Sequence, residues 1–255
     1  MSTKWLFNLS TAICAALIWV ASGTAHAAEV TVMATQAIKA AFVELVPGFE
    51  SSTQHKVSPV WVGEIMKRIK EGEVVDLVIL NRGQIDELTK LGKLVQGSRV
   101  DLAKSGVGVA VRAGAPKPDI SSSDALKRAL LAAKSIAISS GSSSVYMVGL
   151  FQRMGIADEI KPRIRQIAPG LAVGEVLARG EAEIGFQQVS ELLPIGGITY
   201  VGPLPPDIQN YTLYSGGIHT GAKAPDAAME LLKFLKSPAS RPAIVRAGME
   251  PSDTP

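Results

Sequence analysis

The sequence predicts an α/β protein of two lobes between which the chain crosses twice. Short β-branched runs alternate with amphipathic stretches, this alternation recurs in two cycles of similar size, and long strands near residues 106–112 and 211–217 link the cycles. The 255 residues are 47% hydrophobic and 19% charged, which excludes a disordered chain. The net charge of +3 is spread without a basic stripe, so we expect no nucleic-acid partner.

Residues 1–27 have the pattern of a cleaved secretory signal peptide. Lys4 precedes an apolar run over Trp5–Val20, and the small residues Ala25 and Ala27 form a cleavage site. The uninterrupted apolar part is shorter than the roughly 20 residues that a membrane-spanning helix needs. We therefore expect export to the periplasm. Cleavage removes Cys14, the only cysteine, which excludes thiolate catalysis, thiolate metal sites and disulfides in the mature chain.

The first lobe is predicted over residues 28–109 and begins as a βαβαβ unit. Its first helix shows apolar residues at helical spacing, and its third strand is wholly apolar, which is typical of a parallel strand buried on both faces. The predicted elements are strand Val30–Met33, a helix over Ile38–Phe49, strand Lys56–Val62, helix Ile65–Ile69, strand Val74–Leu80, helix Gln84–Leu91 (ended by Gly92) and the long strand Gly106–Arg112.

The second lobe is predicted over residues 110–212, and residues 213–255 are predicted to return to the first. The hydroxyls of Ser121–Ser123 suit a helix N-cap, and a proline opens the penultimate helix. The predicted elements are helix Asp124–Ala133, strand Ser135–Ile138, helices Ser144–Met154 and Ala172–Arg179, strands Glu183–Gln187, Ile198–Val201 and Tyr211–Tyr214, and helices Pro225–Leu235 and Arg241–Ala247.

Four loops lie where open α/β sheets bind ligands, at the ends of strands or the starts of helices. Backbone N–H groups and the helix dipole favour an anion there. The stretch Ser139–Ser144 has five serines and one glycine, which either surround a ligand or simply cap the next helix. The candidate ligand-binding residues in these loops are Thr35, Gln36, Gly63, Ser142, Ser143, Ser144, Tyr146 and Gly170.

Two further candidates stand at strand ends. Arg82 either pairs with a ligand carboxylate or is a solvated surface charge, and Gln188 follows an apolar strand where an amide is unusual. His55 and His219 are far apart and have no metal-ligand spacing, and we find no phosphate loop, dinucleotide fingerprint or nucleophile elbow. We therefore predict no metal and no cofactor, and the sequence favours binding over chemistry.

The order of these elements resembles the type II periplasmic solute-binding proteins, in the branch that contains molybdate-binding proteins. The resemblance spans essentially the whole mature chain. It is carried by the segments Val30–Met33, Gly72–Ile79, Asp86–Leu94, Ser98–Ala103, Gly108–Val111, Gly180–Gly185 and Phe186–Leu192.

The resemblance implies a monomeric receptor that holds a small anion between two closing lobes and delivers it to an inner-membrane ATP-driven (ABC) permease. Molybdate binders carry hydroxyl residues where this chain has Gln36-Ala37 and Trp61-Val62-Gly63, and a tyrosine where it has Gln187 or Gln188. These departures favour a small organic acid over an oxyanion such as molybdate.

The same branch contains exported aconitate isomerases, and Gly185–Pro194 and Tyr200–Pro203 are similar to that subgroup. Such an isomerase needs a base that removes a proton and returns it elsewhere, with a pKa near the working pH. The sequence leaves Glu64, Lys39, Tyr146 and His219 open as that base. We therefore predict the receptor function, with the isomerase as the alternative.

Overall fold

The computed structural model describes residues 27–252. The predicted signal segment therefore lies, apart from Ala27, outside the described residues. Within this range no helix is long and apolar enough to cross a membrane. The ten strands of the described range are β1 (Glu29–Ala34), β2 (Lys56–Trp61), β3 (Leu77–Asn81), β4 (Val100–Arg112), β5 (Ile136–Ile138), β6 (Ile164–Gln166), β7 (Ile184–Gln188), β8 (Ile198–Pro203), β9 (Tyr211–Ile218) and β10 (Glu250–Pro251).

Helices connect most of these strands and cover both faces of the sheet. In chain order they are α1 (Lys39–Thr53), α2 (Ile65–Lys70), α3 (Arg82–Lys90), α4 (Ser123–Ala132), α5 (Ser142–Arg153), α6 (Ala157–Ile160), α7 (Val173–Ala178), α8 (Val189–Leu192), α9 (Pro225–Lys236) and α10 (Arg241–Arg246).

The first lobe is built on strands in the order β2-β1-β3-β9-β4. β1 is parallel to β2 and β3, and β9 is antiparallel to β3. Leu77–Leu80 is buried throughout, as a central parallel strand requires. One face packs against α1, α9 and α10 through side chains such as Phe42, Leu231 and Ile244, and the other packs against α2 and α3.

The second lobe is built on β4-β7-β5-β6, with β8 also paired to β4. β5 lies parallel to β6 and β7, and β7 is antiparallel to β4. Its main core joins α4 and α5 to the strands through side chains such as Leu126, Phe151 and Phe186. The three short strands β5, β6 and β7 therefore point their carboxyl ends the same way.

Two long strands cross between the lobes. In β4, Val100–Gly106 pairs with β9, whereas residues 107–112 pair with β7 and β8. β9 brings the chain back beside β3, and α9 and α10 then join the core of the first lobe. This architecture confirms the predicted α/β fold with two crossing strands.

Several predicted element boundaries are wrong because tertiary pairing extends the strands. β4 begins at Val100 rather than Gly106, and β9 runs to Ile218, which extends the predicted strand Tyr211–Tyr214 and agrees with the predicted crossing near 211–217. Asp101 interrupts the apolar pattern of β4, but its carboxylate is buried and accepts a hydrogen bond from Ser215 Oγ of β9 at 2.7 Å. The short elements β6, α6, α8 and β10 were not predicted.

β7 packs so closely on α7 that position 185 accepts only glycine. A Cβ atom at Gly185 would lie 2.5 Å from Cγ1 of Val173 and 2.8 Å from Cδ1 of Leu177. We predict that Gly185→Ala lowers the free energy of unfolding by about 1–3 kcal/mol, the usual cost of overpacking a core. Urea denaturation followed by Trp61 fluorescence measures this change.

The matched control is Gly196→Ala, because a Cβ there would meet nothing within 4 Å. We expect its unfolding midpoint to stay close to that of the wild type. Equal midpoints for the two variants would contradict the close packing of β7 on α7.

Candidate functional site

A cleft of about 890 Å³ lies between the two lobes. Loops that follow β1, β2 and β3 line it from the first lobe, and loops that follow β5, β6 and β7 line it from the second. All six strands belong to the parallel parts of the sheet. The cleft therefore lies at the carboxyl ends of parallel strands, the usual ligand position in open α/β sheets.

The serine-rich loop forms one wall of the cleft at the start of α5. The hydroxyl oxygens of Ser139 and Ser143 lie 3.0 Å apart, and the Gly141 N–H donates to Ser139 Oγ at 3.2 Å. Gly141 is the N-cap, and no side chain within residues 27–252 caps this helix. The first-turn N–H groups and the hydroxyls together form a donor surface that suits an anion.

The loops of the two lobes approach each other around the cleft, in addition to the contact between α8 and residues 36–38. Asn81 Nδ2, at the end of β3, donates to Ser142 Oγ at 3.2 Å. A Cβ at Gly63 would lie 3.3 Å from Cβ of Pro169, so the loops after β2 and β6 approach each other closely. The serine-rich loop is thus held against the first lobe.

Most of the residues selected from the sequence lie together in this cleft. They come from both lobes, although they are separated by up to about 150 positions in the chain. The selected residues that line it are Thr35, Gln36, Gly63, Ser142, Ser143, Gly170 and Gln188.

Three selected residues lie outside the lining of this cleft. Arg82 Nη1 is 3.5 Å from a carboxylate oxygen of Asp101, so its charge has a protein partner. Ser144 is buried in the first turn of α5. The Tyr146 hydroxyl donates to the carbonyl oxygen of Ile208 at 2.6 Å and thereby stabilises the second lobe.

The Gln188 amide lines the cleft but is bound by the crossing strands. In the amide orientation that satisfies all its neighbours, its nitrogen donates to the carbonyl oxygens of Ser105 at 2.8 Å and Gly106 at 3.2 Å, and its oxygen accepts from Thr212 Oγ1 at 2.9 Å. Gln188 therefore fixes the end of β7 to β4 and β9, and this role occupies the donors that a ligand would need.

Of the four residues left open as a base, Glu64 and Lys39 line the cleft, and Tyr146 and His219 do not. His219 follows β9 outside the cleft, and its Nδ1 accepts from the Gly221 N–H at 3.0 Å. Burial lowers the pKa of His219, and the charge of Lys93 lowers it further against the opposing effect of Asp76.

The residue that sequence reasoning missed is Glu191. It lies in α8, lines the cleft and accepts a hydrogen bond from Gln187 Nε2. Burial raises the pKa of the Glu191 carboxyl from 4.5 to about 7, and the hydrogen bond from Gln187 opposes this only in part. A carboxyl group with this pKa exchanges a proton readily at neutral pH.

The hydrogen-bond partner of Glu191 is neutral and is itself held in place. Gln187 Oε1 accepts from the Val173 N–H at 2.9 Å, which fixes the amide that holds Glu191. Burial raises the pKa of Tyr214, which also lines the cleft, well above 10, and the nearby charge of Glu191 raises it further. The available sequence signal was an acidic residue in the first turn of a helix directly after a strand end.

Two comparisons with known sequences bear on this site. A family model described as "Bacterial extracellular solute-binding protein" matches residues 30–250. The chain is 39% identical over 229 residues to the aconitate isomerase of a Pseudomonas species, and this alignment covers 87% of each chain.

Solved structures match the fold at low sequence identity. The periplasmic molybdate-binding protein of Azotobacter vinelandii superposes with a TM-score of 0.73 at 18% identity, covering 86% of this chain and 98% of that one. The sulfate-binding protein SubI of Mycobacterium tuberculosis superposes with a TM-score of 0.72 at 17% identity, covering 89% and 88%. These likenesses confirm the predicted two-lobed type II fold.

We predict that Glu191 makes the stability of the protein depend on pH. Its carboxyl has a pKa of about 7 when folded and near 4.5 when unfolded, so the folded chain binds more protons between these values. Relative to Glu191→Gln, the free energy of unfolding of the wild type should fall as the pH rises through this window, by at most about 3 kcal/mol.

Urea denaturation of both proteins between about pH 4.5 and about pH 7.5 measures this difference. Since other groups titrate equally in the two proteins, the difference isolates Glu191. A difference that stays constant across the window would contradict a raised pKa.

Proposed function

Because this chain belongs to the bacterial extracellular solute-binding proteins, in the branch shared by molybdate-binding proteins and aconitate isomerase, we propose that it binds an unsaturated tricarboxylate in its cleft and interconverts cis- and trans-aconitate. The observation that carries the proposal is Glu191, a carboxyl group with a pKa of about 7 in the wall of a cleft otherwise rich in neutral donors. Binding of an anion does not by itself require a carboxyl group that can accept a proton at neutral pH. The 39% identity to an aconitate isomerase supports the same hypothesis.

In the proposed reaction, ionised Glu191 removes a proton from the methylene carbon of aconitate. The electron pair of that C–H bond forms a new C=C bond with the central carbon, and the old π pair moves toward the opposite carbon and its carboxylate. Protonated Glu191 then returns the proton to that opposite carbon. The product has the same constitution with the double bond shifted, and its geometry depends on the conformation of the bound intermediate, so cis and trans forms interconvert.

The negative charge that spreads over the carboxylates during this step needs donors placed in advance. The hydroxyls of Ser142 and Ser143 and the first-turn N–H groups of α5 supply them on one wall. Among the described residues that line the cleft, Lys39 is the only basic side chain. Neutral donors suit this task because they stabilise the charged intermediate. Cationic donors near Glu191 would also lower its pKa and hold the carboxyl ionised.

We further propose that the protein is exported and monomeric. The predicted signal segment over residues 1–27 and the extracellular family support a periplasmic location. Aconitate isomerisation by a single base uses no cofactor and no metal, and we propose that the protein acts as a monomer.

A second candidate function is that of a receptor that delivers a small organic acid or oxyanion to an inner-membrane permease. The observation that favours it is the donor set: hydroxyls, amides and one lysine suffice to bind an anion between the lobes. On this alternative, aconitate or another anion binds and is released unchanged.

We predict that the purified mature protein converts cis-aconitate to trans-aconitate, as followed by proton NMR, and that Glu191→Gln lowers the rate by about 10²–10⁴-fold, the usual contribution of a general base. The matched control is Glu159→Gln, because Glu159 is exposed in α6 outside the cleft lining, and its variant should retain the wild-type rate.

The same samples separate the two candidates. Thermal stabilisation by aconitate without conversion would support the receptor and reject the isomerase. Conversion that persists at the wild-type rate in Glu191→Gln would reject Glu191 as the base.

A further inference from the structure

The hydroxyl of Ser190 has no hydrogen-bond partner among the described residues. Ser190 is 2% exposed, and it lines the cleft directly before Glu191 in the chain. A buried hydroxyl without a partner costs free energy, so proteins rarely keep one in the absence of a role. Because Ser190 lines the ligand cleft, a ligand bound there is a candidate partner for this hydroxyl.

The backbone around Ser190 is fixed by hydrogen bonds to the crossing strands. The Ser190 N–H donates to Ser105 Oγ of β4 at 3.3 Å. Two residues earlier, the Gln188 amide is bound to β4 and β9 by the contacts described above. Ser190 is therefore attached to the strands that cross between the lobes.

We propose that Ser190 Oγ donates a hydrogen bond to a carboxylate of the bound substrate, next to the carbon whose proton Glu191 moves. This inference rests on the proposed function for its choice of a carboxylate ligand. A hydroxyl donor beside the base stabilises the charge that appears on that carboxylate when the proton leaves. Ser190 and the serine-rich loop then bind different carboxylates of one molecule, which makes a polycarboxylate the preferred class of substrate.

The melting temperature and the dissociation constant, measured together, distinguish a ligand-binding serine from a structural one. If the Ser190 hydroxyl is hydrogen-bonded only when a ligand is bound, Ser190→Ala removes a buried hydroxyl that has no partner in the free protein. The melting temperature without ligand should then equal or exceed that of the wild type. Its dissociation constant for tricarballylate, the saturated analogue of aconitate, should rise about tenfold or more by calorimetry, because a hydrogen bond to a charged group is lost.

Ser240→Ala is the matched control. Ser240 is fully buried, and its hydroxyl donates to the carbonyl oxygen of Phe234 at 2.6 Å, among the first-lobe helices and outside the cleft lining. This variant should lower the melting temperature and leave the tricarballylate affinity unchanged. The two serine variants are thus expected to show opposite patterns.

The outcomes also separate this inference from the proposed function. A wild-type protein that converts aconitate while Ser190→Ala binds tricarballylate as tightly as the wild type would overturn the inference alone. A wild-type protein that binds tricarballylate but converts no aconitate would overturn the isomerase, and the loss of affinity in Ser190→Ala would still support the inference. No binding of tricarballylate to the wild type would overturn the inference directly.

Discussion

The site depends on a half-buried carboxyl group whose hydrogen-bond partner is uncharged. If Glu191 paired with an arginine or lysine, the attraction would hold it ionised and its pKa would fall well below neutral. Its partner is instead the uncharged amide of Gln187, which is itself fixed by the Val173 N–H. Burial therefore decides the pKa of Glu191, and the packing of β7, α7 and α8 decides the burial.

The corner between β7 and α8 is also where the lobes are joined. Gln188 and Ser190 attach this corner to β4 and β9, the two crossing strands. The serine-rich loop approaches from the second lobe and contacts Asn81 of the first. Glu191 therefore stands beside the crossing strands, next to the contacts that attach this corner to them.

The sequence was sufficient for the fold and for most of the cleft lining. Apolar runs such as Val74–Leu80 predict buried parallel strands, and strand ends followed by helices locate the loops that meet in the cleft. The sequence did not predict the direction of individual side chains, because that direction depends on tertiary partners. Arg82 faces Asp101, and Tyr146 bonds to Ile208, each distant in the chain. Glu191 was missed because its pKa arises from burial by other elements, and the four-residue helix that carries it has no periodic pattern of its own.

The most direct test of this account is a titration of Glu191 itself. Carbon-13 NMR of protein labelled at the glutamate carboxyl carbons follows each carboxyl with pH, and comparison with Glu191→Gln assigns the signal. The account predicts that the signal missing from the variant titrates near pH 7. A signal that titrates near 4.5, the ordinary glutamate value, would contradict it.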